Sequence, residues 1–232
     1  MRHERFYVIG DIHGSAIALR QVLLKCQFNL ETDILIVLGD ICDGYPDTFE
    51  VVEILKTIKN HILIKGNHDI QFINWLKTGA IPSHWQRMGG MSTVNSYMGK
   101  ENYKKDHLEF ILSTSKYYHI SKTNLFVHAG INYKKPLDKN NKRTFTNNRS
   151  FWNIAKHYQN QKLKFTIKSD SKIKTIFIGH SPVNKNKKTL PEKRSNVWNI
   201  DTGAGNCGRL TIMEVKTKRY WQSDLTNTLY KS

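Results

Sequence analysis

The chain is 232 residues long, with 39% hydrophobic and 11% aromatic residues, which supports a buried core and excludes a disordered polymer. Its 36 Lys and Arg outnumber 19 Asp and Glu, for a net charge of +17, which suits an anionic partner such as a nucleotide, nucleic acid or phosphoprotein. The lysines are dispersed apart from residues 184–194, so charge by itself does not establish a nucleic-acid surface.

Residues 1–5 are charged and lack the apolar stretch of a signal peptide. No run of 18 apolar residues occurs, so no membrane partner or span is expected, and a cytoplasmic location is. Residues 6–9 form a short apolar strand that runs into Gly10-Asp11-Ile12-His13-Gly14. Residues 15–26 repeat Ile17, Leu19, Val22, Leu23 and Leu24 at helical spacing. Residues 33–38 are β-branched and apolar, a buried strand bounded by Gly39. A second helix is expected over residues 48–58, then a strand over 61–64 ending at Gly66. This alternation predicts an α/β layer with a mostly parallel sheet.

Residues 69–76 have a helical pattern, with Asp69 as N-cap rather than ligand. Residues 78–105 hold Gly79, Gly89, Gly90 and Gly99 with Trp85 and Tyr97 between them, and are expected to be an inserted cap on the substrate side. A short helix over 106–113 with Asp106 as N-cap precedes a hairpin of residues 117–121 and 125–128 around Lys122-Thr123-Asn124. Residues 133–148 are polar and aperiodic, a long loop of the kind that often serves function. Strands follow at 172–178, 197–201, 210–215 and 219–222, the last three expected to complete a second, mainly antiparallel set. Gly203 to Gly208 fits G-x-G-x-x-G, but the dinucleotide fingerprint needs a helix next and a strand pattern follows. Cys26, Cys42 and Cys207 form no C-x-x-C pair, so neither a disulfide framework nor a cysteine zinc cluster is expected.

Four turns share one design, an apolar strand, a glycine, then metal-type ligands: Gly10-Asp11-Ile12-His13-Gly14, Gly39-Asp40-Ile41-Cys42-Asp43-Gly44, Gly66-Asn67-His68-Asp69 and Gly179-His180. A fifth, Val127-His128-Ala129-Gly130, puts the glycine after the histidine. Strand ends are where α/β sheets build their sites. Asp11 and His13, two apart, would point to one side of extended backbone and share a cation. Asp40 could bridge two ions, with Asn67, His128 and His180 completing the set. Mixed nitrogen and oxygen donors favour manganese, with iron or zinc open. Two such ions would stabilise attacking and leaving oxygens and acidify a water between them. His68, oriented by Asp43, would be the general acid. Any one of these residues could be a cap or a structural histidine; the ordered set argues for one site.

These blocks together resemble the ordered signatures of the calcineurin-like metallophosphoesterases, nearest to the phosphoprotein phosphatase branch in its compact bacterial and phage form. The late Ile200-Asp201-Thr202-Gly203-Ala204 and Gly208-Arg209-Leu210-Thr211 are similar to that branch's C-terminal block. The resemblance implies two facing mixed β-sheets flanked by helices in a single domain over residues 1–232. It places Asp11, His13 and Asp40 at one divalent ion, Asp40, Asn67, His128 and His180 at the second, and His68 with Asp43 as the acid. It implies hydrolysis of a phosphorylated substrate, phosphoserine and phosphothreonine proteins included. A dinucleoside polyphosphate or other nucleotide hydrolase and a phosphodiesterase share these motifs. A non-catalytic binding module would be expected to have lost a ligand or His68, and none is missing. One departure stands out: where the branch reads G-D-x-x-D-R-G, Gly44 replaces the phosphate-gripping arginine and Tyr45 the glycine. Arg149, ahead of Phe151-Trp152, is the preferred substitute over Arg87. With little surface left for regulatory contacts, a monomer is expected.

Overall fold

The computed structural model describes residues 4–168, 170–183 and 189–230. Lys185, Lys187 and Lys188 of the basic segment therefore lie outside the described residues. The chain runs β1 (Phe6–Ile9), α1 (Ala16–Lys25), β2 (Ile34–Val37), α2 (Thr48–Lys56), β3 (Asn60–Ile64), α3 (Asn67–Thr78), α4 (Ser83–Arg87), α5 (Gly90–Ser96), α6 (Lys104–Thr114), β4 (Ser115–Lys116), β5 (Tyr118–Ser121) and β6 (Asn124–Val127). It continues through α7 (Lys142–Asn147), α8 (Ser150–Asn160), β7 (Thr175–Ile178), β8 (Glu192–Arg194), β9 (Val197–Asn199), β10 (Thr211–Glu214), β11 (Tyr220–Gln222) and α9 (Thr226–Leu229).

Two mixed sheets result, ordered β11-β10-β1-β2-β3-β4 and β5-β6-β7-β9-β8. Within them, β1, β2 and β3 are mutually parallel, and so are β6, β7 and β9. The period-two alternation of side chains explains the layering. Val8, Ile36, Ile64, Phe126, Phe177 and Met213 point between the sheets, where Phe126 and Phe177 stack at 5.1 Å. Tyr7, Ile9, Leu35, Val37 and Leu63 point out of the first sheet onto apolar residues of α1, α2, α3 and α6. Leu125, Val127, Ile176 and Ile178 point out of the second onto Phe151, Trp152 and Ala155 of α8. Strands buried on both faces read as unbroken apolar runs, which is why they were legible.

Several local expectations are corrected. β10 and β11 join the first sheet, with β10 antiparallel to β1 through the pairs Tyr7 with Glu214 and Ile9 with Ile212; a pairing between residues 203 to 207 positions apart leaves no local trace. The second sheet is accordingly mixed rather than mainly antiparallel. The hairpin turn is shorter, since Ser121 pairs with Asn124 and Lys122 takes a left-handed φ of 54°. The loop over 133–148 contains α7, capped by Asn141, whose side chain accepts from Thr144 N. Asp106 lies in the first turn of α6 and pairs with Lys56 instead of capping the helix. The segment after Gly203 is a single short helical turn followed by β10, as a strand pattern requires. Among the described residues no helix is long and apolar enough to cross a membrane.

Candidate active site

Six parallel strands each deliver one block at the C-terminal end: Asp11 and His13 after β1, Asp40 and Asp43 after β2, Asn67 and His68 after β3, His128 after β6, His180 after β7 and Asp201 after β9. The turns are laced to one another. The Asp40 carbonyl accepts from Ile12 N at 3.0 Å and His13 N at 2.8 Å. His128 Nδ1 lies 2.7 Å from the Leu38 carbonyl, and His180 N donates to Asp11 Oδ2 at 3.0 Å, so the two sheets meet at the site. His13, Asp40, Asp43 and His180 all have left-handed backbone, with φ between 48° and 67°. Each such residue costs about 1–3 kcal/mol, which the surrounding hydrogen bonds and packing must offset. Glycine is required where these turns crowd: a Cβ on Gly66 would collide with Asp40 Oδ1.

Asp11, His13, Asp40, Asn67, His68 and His180 line one cavity of about 430 Å³, together with Gly44, Met88, Arg149 and Asp201. His128 is wholly buried behind it. A larger cleft of about 600 Å³ around Phe6, Ser121 and Val215 holds none of the candidate residues. Within the site, two ligand groups form, His13 with Asp40 and His68, and Asp40 with His128 and His180. In each, the ligand atoms lie within 4.8 Å of one another, and Asp40 belongs to both.

The hydrogen bonds settle which nitrogens face the cavity. A carbonyl only accepts, so His128 Nδ1 donates to Leu38 O and His13 Nδ1 donates to Cys42 O at 3.2 Å. The remaining His128 Nε2 then faces Asp40 Oδ2 at 3.3 Å and Asn67 Oδ1 at 3.3 Å. Acceptors this close are relieved only by a proton or a cation between them. A carboxylate, an amide oxygen and imidazoles oriented by backbone carbonyls are the donor set of a transition-metal site, so the residues present fit a divalent ion.

The electrostatics agree. Burial pushes Asp11 well above the usual carboxylate range, with Asp201 and Asp40 adding to it. Burial likewise lifts Asp201 to about 6. Burial also lowers His180 to about 3, helped by His128, which keeps that imidazole neutral. Three crowded buried carboxylates call for cations. The side chains of His68 and Asp43 meet through His68 Nδ1 and Asp43 Oδ2 at 2.7 Å. For His68 burial favours the neutral ring, but Asp40 and the bond to Asp43 outweigh it and raise the group to about 9.

Arg149, just ahead of α8, reaches the cavity wall and donates to the His180 carbonyl at 2.6 Å. Arg87 is exposed on α4 and does not line the cavity; its neighbour Met88 does. Tyr45 turns away, its hydroxyl 3.0 Å from Thr226 Oγ1 and its ring 4.7 Å from Tyr230. Neither Gly44 nor Tyr45 therefore brings a cation to the cavity.

Three residues take part in the site in ways the sequence did not show. Asp69 is not the N-cap of α3. Gly66 is, and the buried Asp69 carboxylate accepts from Gly66 N at 2.8 Å, Asp40 N at 2.8 Å and Ile41 N at 2.9 Å. It thus ties the Asp40 turn to the Asn67 turn. Asp201, in the C-terminal block, adds a further carboxylate; its place after an apolar strand was the available signal. Trp85, in the expected inserted cap, donates its indole N–H to Asp43 Oδ2 at 2.8 Å, which nothing local announces.

A family model described as calcineurin-like phosphoesterase matches residues 4–204. The chain is 41% identical over 68 residues to a symmetrical bis(5'-nucleosyl)-tetraphosphatase of Erwinia tasmaniensis, and equally so to one of Buchnera aphidicola. Each match covers 29% of this chain and about a quarter of the relative, 25%. Among solved structures, a metallophosphoesterase from Sphaerobacter thermophilus superposes with a TM-score of 0.58 at 17% identity, covering 98% of this chain and 90% of that one. A protein serine/threonine phosphatase from Saccharomyces cerevisiae gives 0.58 at 12% identity, over 95% and 80%. At these identities the structural likeness speaks to the fold.

Proposed function

Because the chain belongs to the calcineurin-like phosphoesterase family, we propose that it hydrolyses phosphate esters with two divalent ions, phosphomonoesters first among them. The observation that carries this reading is the Asp40 cluster, in which one carboxylate is shared between two ligand groups and faces His128 Nε2 at 3.3 Å. Asp11, His13 and Asp40 would hold one ion, and Asp40, Asn67, His128 and His180 the other, manganese being the preferred metal and iron or zinc the alternatives. When bound, the ions supply charge neutralisation for the phosphoryl oxygens and make water acidic enough to attack near neutral pH. The protein does the rest. His68, held by Asp43 through Nδ1, presents its other nitrogen to the cavity and protonates the departing oxygen. Arg149 is the guanidinium placed to grip the substrate phosphate in the absence of an arginine at Gly44. The left-handed Asp40 and His13 backbones hold their ligands before substrate arrives, which spares reorganisation during reaction.

A second substrate reading has support from the relatives, which are named symmetrical bis(5'-nucleosyl)-tetraphosphatases; the positive charge and the missing arginine suit it. Chelator-stripped protein, assayed with and without Mn²⁺ on an aryl phosphomonoester, a bis-aryl diester, a phosphothreonine peptide and a dinucleoside tetraphosphate, separates the readings. Metal-dependent release of phosphate from the monoester and peptide is the expected result. Preference for the tetraphosphate or the diester would retain the site and change the substrate. No turnover with Mn²⁺, Fe²⁺ or Zn²⁺ would refute the enzymatic reading.

A further inference from the structure

The insert over residues 78–105 reaches the site through one buried carboxylate. Asp43 is wholly buried and uses both oxygens. Its Oδ2 accepts from His68 Nδ1 at 2.7 Å and from Trp85 Nε1 at 2.8 Å, and its Oδ1 accepts from Thr93 Oγ1 at 2.7 Å. Thr93 has one hydroxyl hydrogen, spent on Asp43. Its oxygen must therefore accept from Asp43 N at 2.9 Å and from the Thr48 hydroxyl at 3.2 Å. Every donor that Asp43 gains beyond His68 thus comes from α4 and α5. Trp85 and Thr93 are both wholly buried. The packing is built to admit the indole, since a Cβ on Gly90 would stand 2.5 Å from Trp85 ring atoms.

An apolar ring would fill this space equally well, so the indole N–H aimed at Oδ2 needs its own reason. A carboxylate with two fixed donors cannot swing about its terminal bond, and the lone pair it offers His68 keeps one direction. We propose that Trp85 and Thr93 are positioning residues for the proton donor: they lock the Asp43 carboxylate, which in turn aims His68 at the leaving oxygen. This rests on the reading of His68 as the acid given above.

The test uses four variants of the chain with saturating Mn²⁺: His68→Asn as reference, Trp85→Phe, which keeps a ring but removes the N–H, Thr93→Val, and Thr93→Ser, which keeps the hydroxyl. Each is assayed on an alkyl phosphomonoester, whose leaving oxygen needs a proton, and on 2,4-dinitrophenyl phosphate, whose leaving oxygen does not. His68→Asn should lose about 10²–10⁴-fold in kcat on the alkyl ester and far less on the aryl ester. Trp85→Phe and Thr93→Val should lose roughly tenfold in kcat on the alkyl ester only, with KM nearly unchanged, the effect of one charge-assisted hydrogen bond. Thr93→Ser should restore the rate. If Trp85→Phe does not fold, the comparison of Thr93→Val with Thr93→Ser carries the test. Equal losses on both esters, or wild-type rates on both, would overturn the positioning role. A His68→Asn enzyme indifferent to the leaving group would remove the acid assignment and this proposal with it. Leaving-group dependence in His68→Asn alone would remove only the proposal.

Discussion

Asp69 tests whether the metal ligands are held in place before any metal binds. As a helix cap it would be worth about 1 kcal/mol when changed to alanine. The structure demands more. Its carboxylate, only 4% exposed, serves Gly66, Asp40 and Ile41 N–H groups at 2.8, 2.8 and 2.9 Å. Hydrogen bonds to a charged group contribute about 1.5–3 kcal/mol each. With some rehydration of the exposed donors, Asp69→Ala should cost about 4 kcal/mol, a large share of the ~5–15 kcal/mol that stabilises a domain. Asp69→Asn is milder. Its one oxygen can still take Gly66 and Asp40, while its amide faces the Ile41 N–H, donor against donor, for about 2 kcal/mol. Urea unfolding of the chelator-treated variants gives these values directly. Because Asp69 anchors the left-handed Asp40 backbone, Mn²⁺ affinity by calorimetry should also fall, by about 10–100-fold. A loss near 1 kcal/mol for Asp69→Ala with unchanged affinity would refute the cross-link and return Asp69 to the role of a simple cap.

Other consequences are equally open to measurement. Asn67→Ala and His180→Ala should each lower both bound metal, by elemental analysis after dialysis, and activity; full metal content in either variant would remove that residue from the ligand set. Arg149→Ala should raise KM for a phosphomonoester and Ki for inorganic phosphate by about 10–100-fold, the worth of one charged hydrogen-bonded contact, and unchanged phosphate inhibition would exclude it from the binding site. His107 predicts a pH effect away from the site. Its buried ring is satisfied when neutral, with Nε2 donating to Glu53 at 2.9 Å and Nδ1 accepting from the Tyr97 hydroxyl at 2.6 Å. Burial lowers its pKa below the ordinary 6.5, with Glu53 and Asp106 opposing in part and Lys56 adding to the shift. The unfolded chain therefore takes up the proton first, and this group's contribution is complete above about pH 6.5 and declines as the pH falls below it. Replacing His107 by glutamine should flatten the loss of stability between pH 7 and 5; an unchanged slope would show that other groups cause it.

What the sequence determined by itself were the features written in neighbouring residues. Apolar runs at 6–9, 34–37 and 175–178 announce strands buried on both faces. The glycine and ligand that follow each run announce a site at strand ends, because both signals occupy a few consecutive positions. Asp11, His13, Asp40, Asn67, His68, His128 and His180 were nameable for that reason, and the structure brings them to one place. Tertiary structure alone decided the rest. The docking of β10 on β1, the crossing of His128 to the Leu38 carbonyl, the Asp40 and Ile41 N–H groups on Asp69 and the donors from Trp85 and Thr93 to Asp43 join residues 28 to 207 positions apart. Such pairings depend on how two sheets and an insert close on each other. The energy of a buried carboxylate belongs to all of its partners at once, so no local pattern records it.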